Sequence, residues 1–347
     1  MLGKGLGGIE QCAIDYAEAL LLQGHEVMTI IHPEAQIREV LDEKQLSYEM
    51  LSNHGWWDIF AHFKLKKMVQ AAQPDMILTH GNRAAGFAAR LFKGVIPVVS
   101  VSHNYRFIPL LKADAILTLS PHMRDVLAEH ISIEKLHIVH NMVRIPRRKA
   151  TRPRANPPVI GTLGRFVPEK GYDIYIEALA LLKTKGIEFQ AYLGGGGELE
   201  EELKALADEY DLGGHLLFKE WIDDVPAFID ELDIFCLPSR SEALSITLLQ
   251  ALAAACPCVI SDLPEPVSVV QQGRAAEIVP PENAEKLAIA LSRMLKNEEY
   301  GQNKASLAQK HMQEDYSIEV VSEKLSELLT EILETYHRGR ASINVEV

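Results

Sequence analysis

Two cations and one carboxylate stand where predicted strands run out into predicted helices. In "GTLGRFVPEKG" (161–171) Arg165 and Lys170 follow a short apolar run and precede an amphipathic one. Positive charges placed there suit an anionic ligand such as a diphosphate, since guanidinium and ammonium groups both bond phosphate oxygens. The same pair on a solvated surface would contribute little. In "LPSRSEALSITLL" (237–249) Glu242 occupies the mouth of a second helix. Backbone N–H groups near 243–247, those of Ala243, Leu244, Ser245 and Ile246 among them, would lack intrahelical partners and carry the positive end of the dipole, which makes an anion site. A carboxylate at that position is also a common charge–dipole device. Gln250 lies two turns further in, within an apolar run. A buried amide there has to be hydrogen-bonded, by the protein or by a ligand.

Other segments carry weaker signals. "LGGGGELEEEL" (193–203), containing Gly195, reads as strand, glycine loop and helix, but lacks the dinucleotide-binding spacing. Its glycines would let a ligand approach the backbone closely. His80 in "LTHGN" and His103 in "SVSHNYRF" fall at strand ends. Either fits a structural histidine; position makes His103 the better site candidate. No D-x-D, H-E-x-x-H or cysteine cluster with ligand spacing appears, so no metal is expected. Cys256 and Cys258 are too close in sequence for a C-x-x-C pair, and all four cysteines read as reduced, buried thiols.

These residues need a scaffold. A chain of 347 residues predicts two domains. A composition of 47% hydrophobic and 24% charged residues argues against disorder. No apolar run is long enough to span a membrane, and "MLGKGLGGIEQ" lacks a signal-peptide pattern. The net charge of −13 resides in the C-terminal half, which excludes general nucleic-acid binding. Short apolar runs at 26–32, 75–81, 97–104, 114–120 and 135–141 read as buried parallel strands. The alternation restarts with strands at 159–164, 189–195, 215–221, 233–239 and 257–261, separated by helices, and ends in a helical tail from about 284. The basic, proline-bearing stretch between them reads as a linker.

The expected architecture is therefore α/β, with two doubly wound Rossmann-like domains. The first spans 1–148, a linker 149–157, the second 158–318, and a C-terminal helix 319–347 crosses back to the first. Ligands are expected beyond the C-terminal strand ends, in a cleft between the domains. One oddity is the glycine loop "GKGLGG" (3–8), which should follow a strand but has only Met1 and Leu2 before it. A first strand is expected to be missing, which would leave neighbouring backbone groups unpaired.

"HGWWDIFAHFKLKKMVQAAQP" (54–74) mixes Trp56, Trp57, Phe60 and Phe63 with Lys64, Lys66 and Lys67. That mixture suits a membrane interface or an acceptor surface, which "YRFIPLLK" (105–112), with Arg106, would extend. The alternative is a helix with Ile59, Phe63 and Met68 in the core and the lysines in water.

In their order and spacing, "GLGGIE", "SVSHN", "IVHN", "GRFVPEKG", "LGGGGELEEEL" and "FKEWIDDVPAFIDELDIFCLPSRSEALSITLLQALAAACPCV" resemble family four of the retaining glycosyltransferases, over nearly the whole chain. The resemblance implies a GT-B fold, with a nucleotide-diphosphate-sugar held mainly by the C-terminal domain and the acceptor by the N-terminal one. It implies that Arg165 and Lys170, beside Gly164, bind the donor diphosphate and that Glu242 contacts the donor sugar. Gln250 falls where a second acid of the E-x7-E motif usually meets the ribose. Gly7 and Gly8 match a loop near the phosphate, His103 a histidine near the sugar, and Trp221 and Ile222 the surroundings of the base. Ala243, Leu244 and Ser245 replace the common Gly-Phe-Gly. No cofactor or metal is implied. The implied acceptors are lipid-linked glycans, lipopolysaccharide or other cell-envelope glycoconjugates, and the implied location is cytoplasmic, peripheral at the inner face of an anionic membrane. Alternatives are an isomerase resembling nucleotide-sugar 2-epimerases, or a catalytically weak nucleotide-sugar-binding homologue.

Overall fold

A computed structural model describes residues 1–5, 7–55, 58–146 and 154–343. The chain divides into two compact units: Met1–Met142 joined by the C-terminal segment from Ile318, and Val143–Ser317. The chain thus passes from one unit to the other at Met142, ahead of the stretch expected to be the linker, of which 149–153 lie outside the described residues.

In the first unit, α1 (Gly8–Leu22) precedes β1 (Thr29–Ile31), α2 (Ile37–Glu43), β2 (Tyr48–Met50) and α3 (Ile59–Ala72). Then follow β3 (Ile77–His80), α4 (Asn82–Phe92), β4 (Val98–Ser102), β5 (Ala115–Thr118), α5 (Pro121–Ala128) and β6 (Leu136–Ile138). β3, β4, β5 and β6 form one parallel sheet in that order, while β1 and β2 pair separately. No strand precedes α1 among the described residues, and β1 and β3 are unpaired with each other. The Met1 amine donates to the Ile30 carbonyl (2.7 Å), satisfying one acceptor of β1. β4 is buried along its whole length, as its run of Val and Ser predicts for a strand covered on both faces.

The second unit holds β7 (Val159–Arg165), α6 (Tyr172–Thr184), β8 (Gln190–Gly196), α7 (Glu200–Glu209), β9 (Leu216–Lys219) and α8 (Val225–Glu231). β10 (Ile234–Leu237), α9 (Ile246–Ala253), β11 (Cys258–Ser261), α10 (Pro264–Val269), β12 (Glu277–Val279), α11 (Ala284–Lys296) and α12 (Glu298–His311) complete it. Its six strands are all parallel, in the order β12-β11-β10-β7-β8-β9. The chain winds outward from β7 in one direction, then returns to β10 and winds in the other. β7 and β10 therefore flank the topological switch point, whose carboxyl end is the natural ligand crevice of such a sheet. Ile160, Leu193, Ile234 and Val259 from four strands pack with Tyr175, Leu179 and Leu291 in one core.

The last helix, α13 (Ile318–Ile343), belongs to the first unit and packs on α1, where Gln23 Nε2 donates to Ser322 Oγ (2.9 Å). The short elements α2, β2, α10 and β12 were not foreseen from sequence. Each is three to seven residues long, too short for a period to show.

Candidate functional site

The loops leaving β7 and β10 meet at the switch point, and a close backbone approach makes the meeting possible. Gly171 caps α6 with φ +64°, and a Cβ there would stand 2.2 Å from the Pro238 carbonyl oxygen. The loops are then sewn together. The Arg240 and Ser241 amides donate to the Glu169 carbonyl, at 2.8 and 3.3 Å. Arg240 forms a bidentate pair with Asp173 (2.8 and 2.5 Å) and bonds the Pro168 carbonyl (3.0 Å) and Glu282 (3.1 Å). Burial pushes the Asp173 carboxyl up, but the Arg240 bonds outweigh it and hold the group below its ordinary range.

That frame brings Lys170 and Glu242 into contact. Lys170 Nζ donates to Glu242 Oε2 at 2.7 Å, and Ser239 Oγ donates to the same oxygen at 3.1 Å. The two side chains are 21% and 11% exposed, so the pair is screened from water without being sealed. Arg165 ends β7, exposed and without an ion pair among the described residues. Sequence reasoning placed Lys170 and Glu242 at strand ends; their contact, and the Ser239 and Arg240 bonds that fix it, depend on two loops far apart in the chain.

Tyr172 is a further site residue that sequence reasoning missed. It is buried, and burial pushes its phenol far up, so it stays a neutral donor. Its hydroxyl lies against Gly164, where a Cβ would come within 2.6 Å of it.

The helix opened by the 237–249 segment begins at Ile246, with Ser245 as its cap. Ser245 Oγ accepts from the Leu248 amide (3.3 Å), satisfying one of the N–H groups that α9 leaves over. Leu244 is buried in the core, and Ala243 is half-buried. Gln250 departs from the expectation of a buried amide. It is half-buried and makes no side-chain hydrogen bond among the described residues.

The glycine loop also differs from expectation. A Cβ on Gly195 (φ +129°) would lie 2.0 Å from the Gly164 carbonyl oxygen, so its missing side chain serves packing of β8 on β7. The Gly195 amide donates to the Glu220 carbonyl (3.3 Å), and Ile222 packs beside Gly194. Trp221 is 47% exposed, an aromatic face open to solvent at the edge of this loop.

In the first unit, Gly7 is the extended cap of α1 and Gly8 its first residue. His103 follows β4, and its Nε2 lies 3.1 Å from Nδ1 of buried His80. Burial lowers the His103 pKa to about 4, so near neutral pH it is an uncharged imidazole.

On α3 the core face is Ala61, Leu65, Met68 and Val69. Ile59, Phe60 and Phe63 are 76%, 88% and 61% exposed, so of the three residues in the core alternative only Met68 is buried. Lys67 lies over the Phe63 ring (4.7 Å), and Lys64 bonds the Met50 carbonyl (3.0 Å). Arg106 is exposed in a turn held by Asn104, whose Oδ1 accepts from its amide (2.9 Å). Trp56 and Trp57 lie outside the described residues. No helix among the described residues is long and apolar enough to cross a membrane.

Comparison with known proteins follows this division of the chain. Residues 143–311 match the family described as glycosyl transferases group 1, and residues 6–147 match glycosyltransferase family 4. A lipopolysaccharide core biosynthesis glycosyltransferase, LpsE, of Rhizobium meliloti is 24% identical over 331 residues, covering 93% of this chain and 96% of the relative. An uncharacterized glycosyltransferase of Haemophilus influenzae is 25% identical over 342 residues, with 93% and 96% covered. Among solved structures, Anabaena Alr3699/HepE in complex with UDP-glucose superposes with a TM-score of 0.83 at 19% identity, over 95% of this chain and 98% of the other.

Proposed function

This chain belongs to glycosyltransferase family 4 and has the GT-B fold, and from that premise we propose that it moves a sugar from a nucleotide-diphosphate-sugar to a cell-envelope acceptor with retention at the anomeric carbon. The observation that carries the reading is the Lys170–Glu242 pair, fixed by Ser239 at the switch point of a doubly wound sheet. Lys170 and Arg165 receive the diphosphate, joined by the amides at the start of α9, and stabilise the negative charge that grows on the leaving nucleoside diphosphate. Together the two cations would supply the charge that a metal would otherwise bring, so the proposed transfer needs none.

Glu242 meets the donor sugar. His103, a neutral imidazole, bonds a sugar hydroxyl, and Gly7 and Gly8 admit the phosphate close to the backbone. Ile222 and the exposed Trp221 bracket the base, read by backbone groups, and the Gln250 amide, which has no side-chain hydrogen bond among the described residues, is available to the ribose. The acceptor is a lipid-linked glycan or lipopolysaccharide, a reading supported by the name of the Rhizobium relative and by the exposed phenylalanines of α3.

A thermal-shift panel of UDP-, GDP- and ADP-sugars tests the donor side. One nucleotide class is expected to raise the melting temperature, because a ligand bound only to the native state stabilises it, and Gln250→Glu is expected to change that shift. No shift with any member sinks the reading. Product formed without acceptor identifies an isomerase instead, and binding without turnover a weak homologue.

The membrane side is tested with vesicles. The protein is expected to co-sediment with phosphatidylglycerol vesicles in preference to phosphatidylcholine ones. A double substitution, Phe60→Glu with Phe63→Glu, is expected to weaken that more than tenfold, since each buried phenylalanine contributes about 1.5–3 kcal/mol. Equal sedimentation of wild type and variant would show that α3 is not the contact.

A further inference from the structure

Three metal-binding side chains meet inside the first unit, although no two of them are near neighbours in sequence. Cys12 on α1, His80 at the end of β3 and His103 after β4 each bring one ligand atom, and these atoms lie within 4.8 Å of one another. The two imidazoles are already 3.1 Å apart. Cys12 and His80 are buried, His103 partly so. A tetrahedral zinc site, with bonds of about 2.3 Å to sulfur and 2.0–2.1 Å to nitrogen, separates its ligand atoms by roughly 3.3–3.8 Å. Closing this cluster onto an ion therefore asks for side-chain shifts of about 1 Å at most.

A second, independent observation points to a missing partner at the same place. Tyr16, one turn along α1 from Cys12, is 1% exposed and stacks edge-on against His80, with ring centroids 5.0 Å apart. Its hydroxyl has no hydrogen-bond partner among the described residues. A buried hydroxyl left unsatisfied is destabilising, and a fold tolerates it where something else is meant to bond it. Cys12 Sγ also donates to Asn141 Oδ1 (3.2 Å), which orients the sulfur.

We infer that Cys12, His80 and His103 form a binding site for Zn²⁺, with a water as the fourth ligand and the Tyr16 hydroxyl as that water's partner. Binding displaces the Cys12 thiol proton to solvent and forms the S–Zn bond, while the proton shared by the two rings moves to the far nitrogen of its own ring. The ion takes His103 out of use. Zinc is therefore an inhibitor, a consequence that rests on the role given to His103 above.

The test uses the full chain, reduced and stripped of metal. Equilibrium dialysis is expected to show one tightly held Zn²⁺ per chain. The Co²⁺ adduct is expected to show a thiolate-to-cobalt charge-transfer band in the near ultraviolet. Cys12→Ser should abolish the band and weaken Zn²⁺ binding on the order of 100-fold or more, as should His80→Gln for binding. Far-UV circular dichroism checks that both variants fold. Zn²⁺ should inhibit donor turnover by wild type but not by Cys12→Ser, whose metal-free activity matches wild type. No bound zinc, or binding indifferent to Cys12→Ser, overturns the site. Zinc bound at Cys12 without inhibition leaves the site standing and removes His103 from the reaction.

Discussion

Lys170→Ala is expected to lower kcat/KM for donor turnover by roughly 10²–10³-fold, the loss that follows removal of one fixed group stabilising charge in a transition state. Lys170 Nζ is held 2.7 Å from Glu242 on a turn closed by Gly171, so its position is set before any ligand arrives. A cation that needs no reorganisation is worth more than a mobile one, and at 21% exposure its field is only partly screened by water. In the free protein that charge is balanced by Glu242; in the proposed donor complex it would be shared with the diphosphate. The substitution removes both interactions and leaves Glu242 with Ser239 alone among the described residues. Steady-state kinetics beside a thermal melt separates the two effects. Breaking a partly exposed pair costs about 1 kcal/mol of stability, too little to unfold the chain. Turnover unchanged in Lys170→Ala would refute the assignment of the site. Arg165 has no ion pair among the described residues to lose, so Arg165→Ala should leave the melting temperature where it is.

The difference between what sequence disclosed and what it hid follows sequence distance. β7, β8 and β10 were legible because each is a short, nearly uninterrupted apolar run ended by glycine or proline. Lys170 and Glu242 were legible as residues just past such runs. Their mutual contact was not, since it depends on which strands are neighbours, and the return from β9 to β10 beside β7 has no local signature. Arg240 reads locally as one more loop cation, yet it binds Asp173 and so becomes part of the frame. Gln250 shows the converse: the residues around it are apolar, yet a helix packed mainly on one side leaves position 250 only half-buried. Ser245 stands in sequence where a ligand-contacting glycine is common; in three dimensions it caps α9. The Cys12, His80 and His103 cluster escaped notice because spacing rules find ligands supplied by one segment, and here α1, β3 and the end of β4 each supply one.

Glu242→Gln offers the sharper experiment, since it removes a charge and almost nothing else. The amide oxygen can still accept from Ser239 Oγ and Lys170 Nζ, now at 3.1 and 2.7 Å, so the loop should keep its conformation. In the proposed transfer, positive charge grows on the sugar as the bond from the anomeric carbon to the diphosphate lengthens, and a carboxylate placed beside it would stabilise that state more than the ground state. A group that acts only there changes kcat, not donor affinity. The expected result is therefore a fall in kcat of about 10²-fold or more with KM for the donor changed by less than about threefold. Glu242→Ala should in addition raise KM, because Lys170 loses its anchor. Combining Lys170→Ala with Glu242→Gln should cost less than the two separate losses together, as for any pair that acts in contact. Full additivity would mean that the two groups act on the donor independently, and the 2.7 Å contact would then matter to the fold of the loops and not to the transfer.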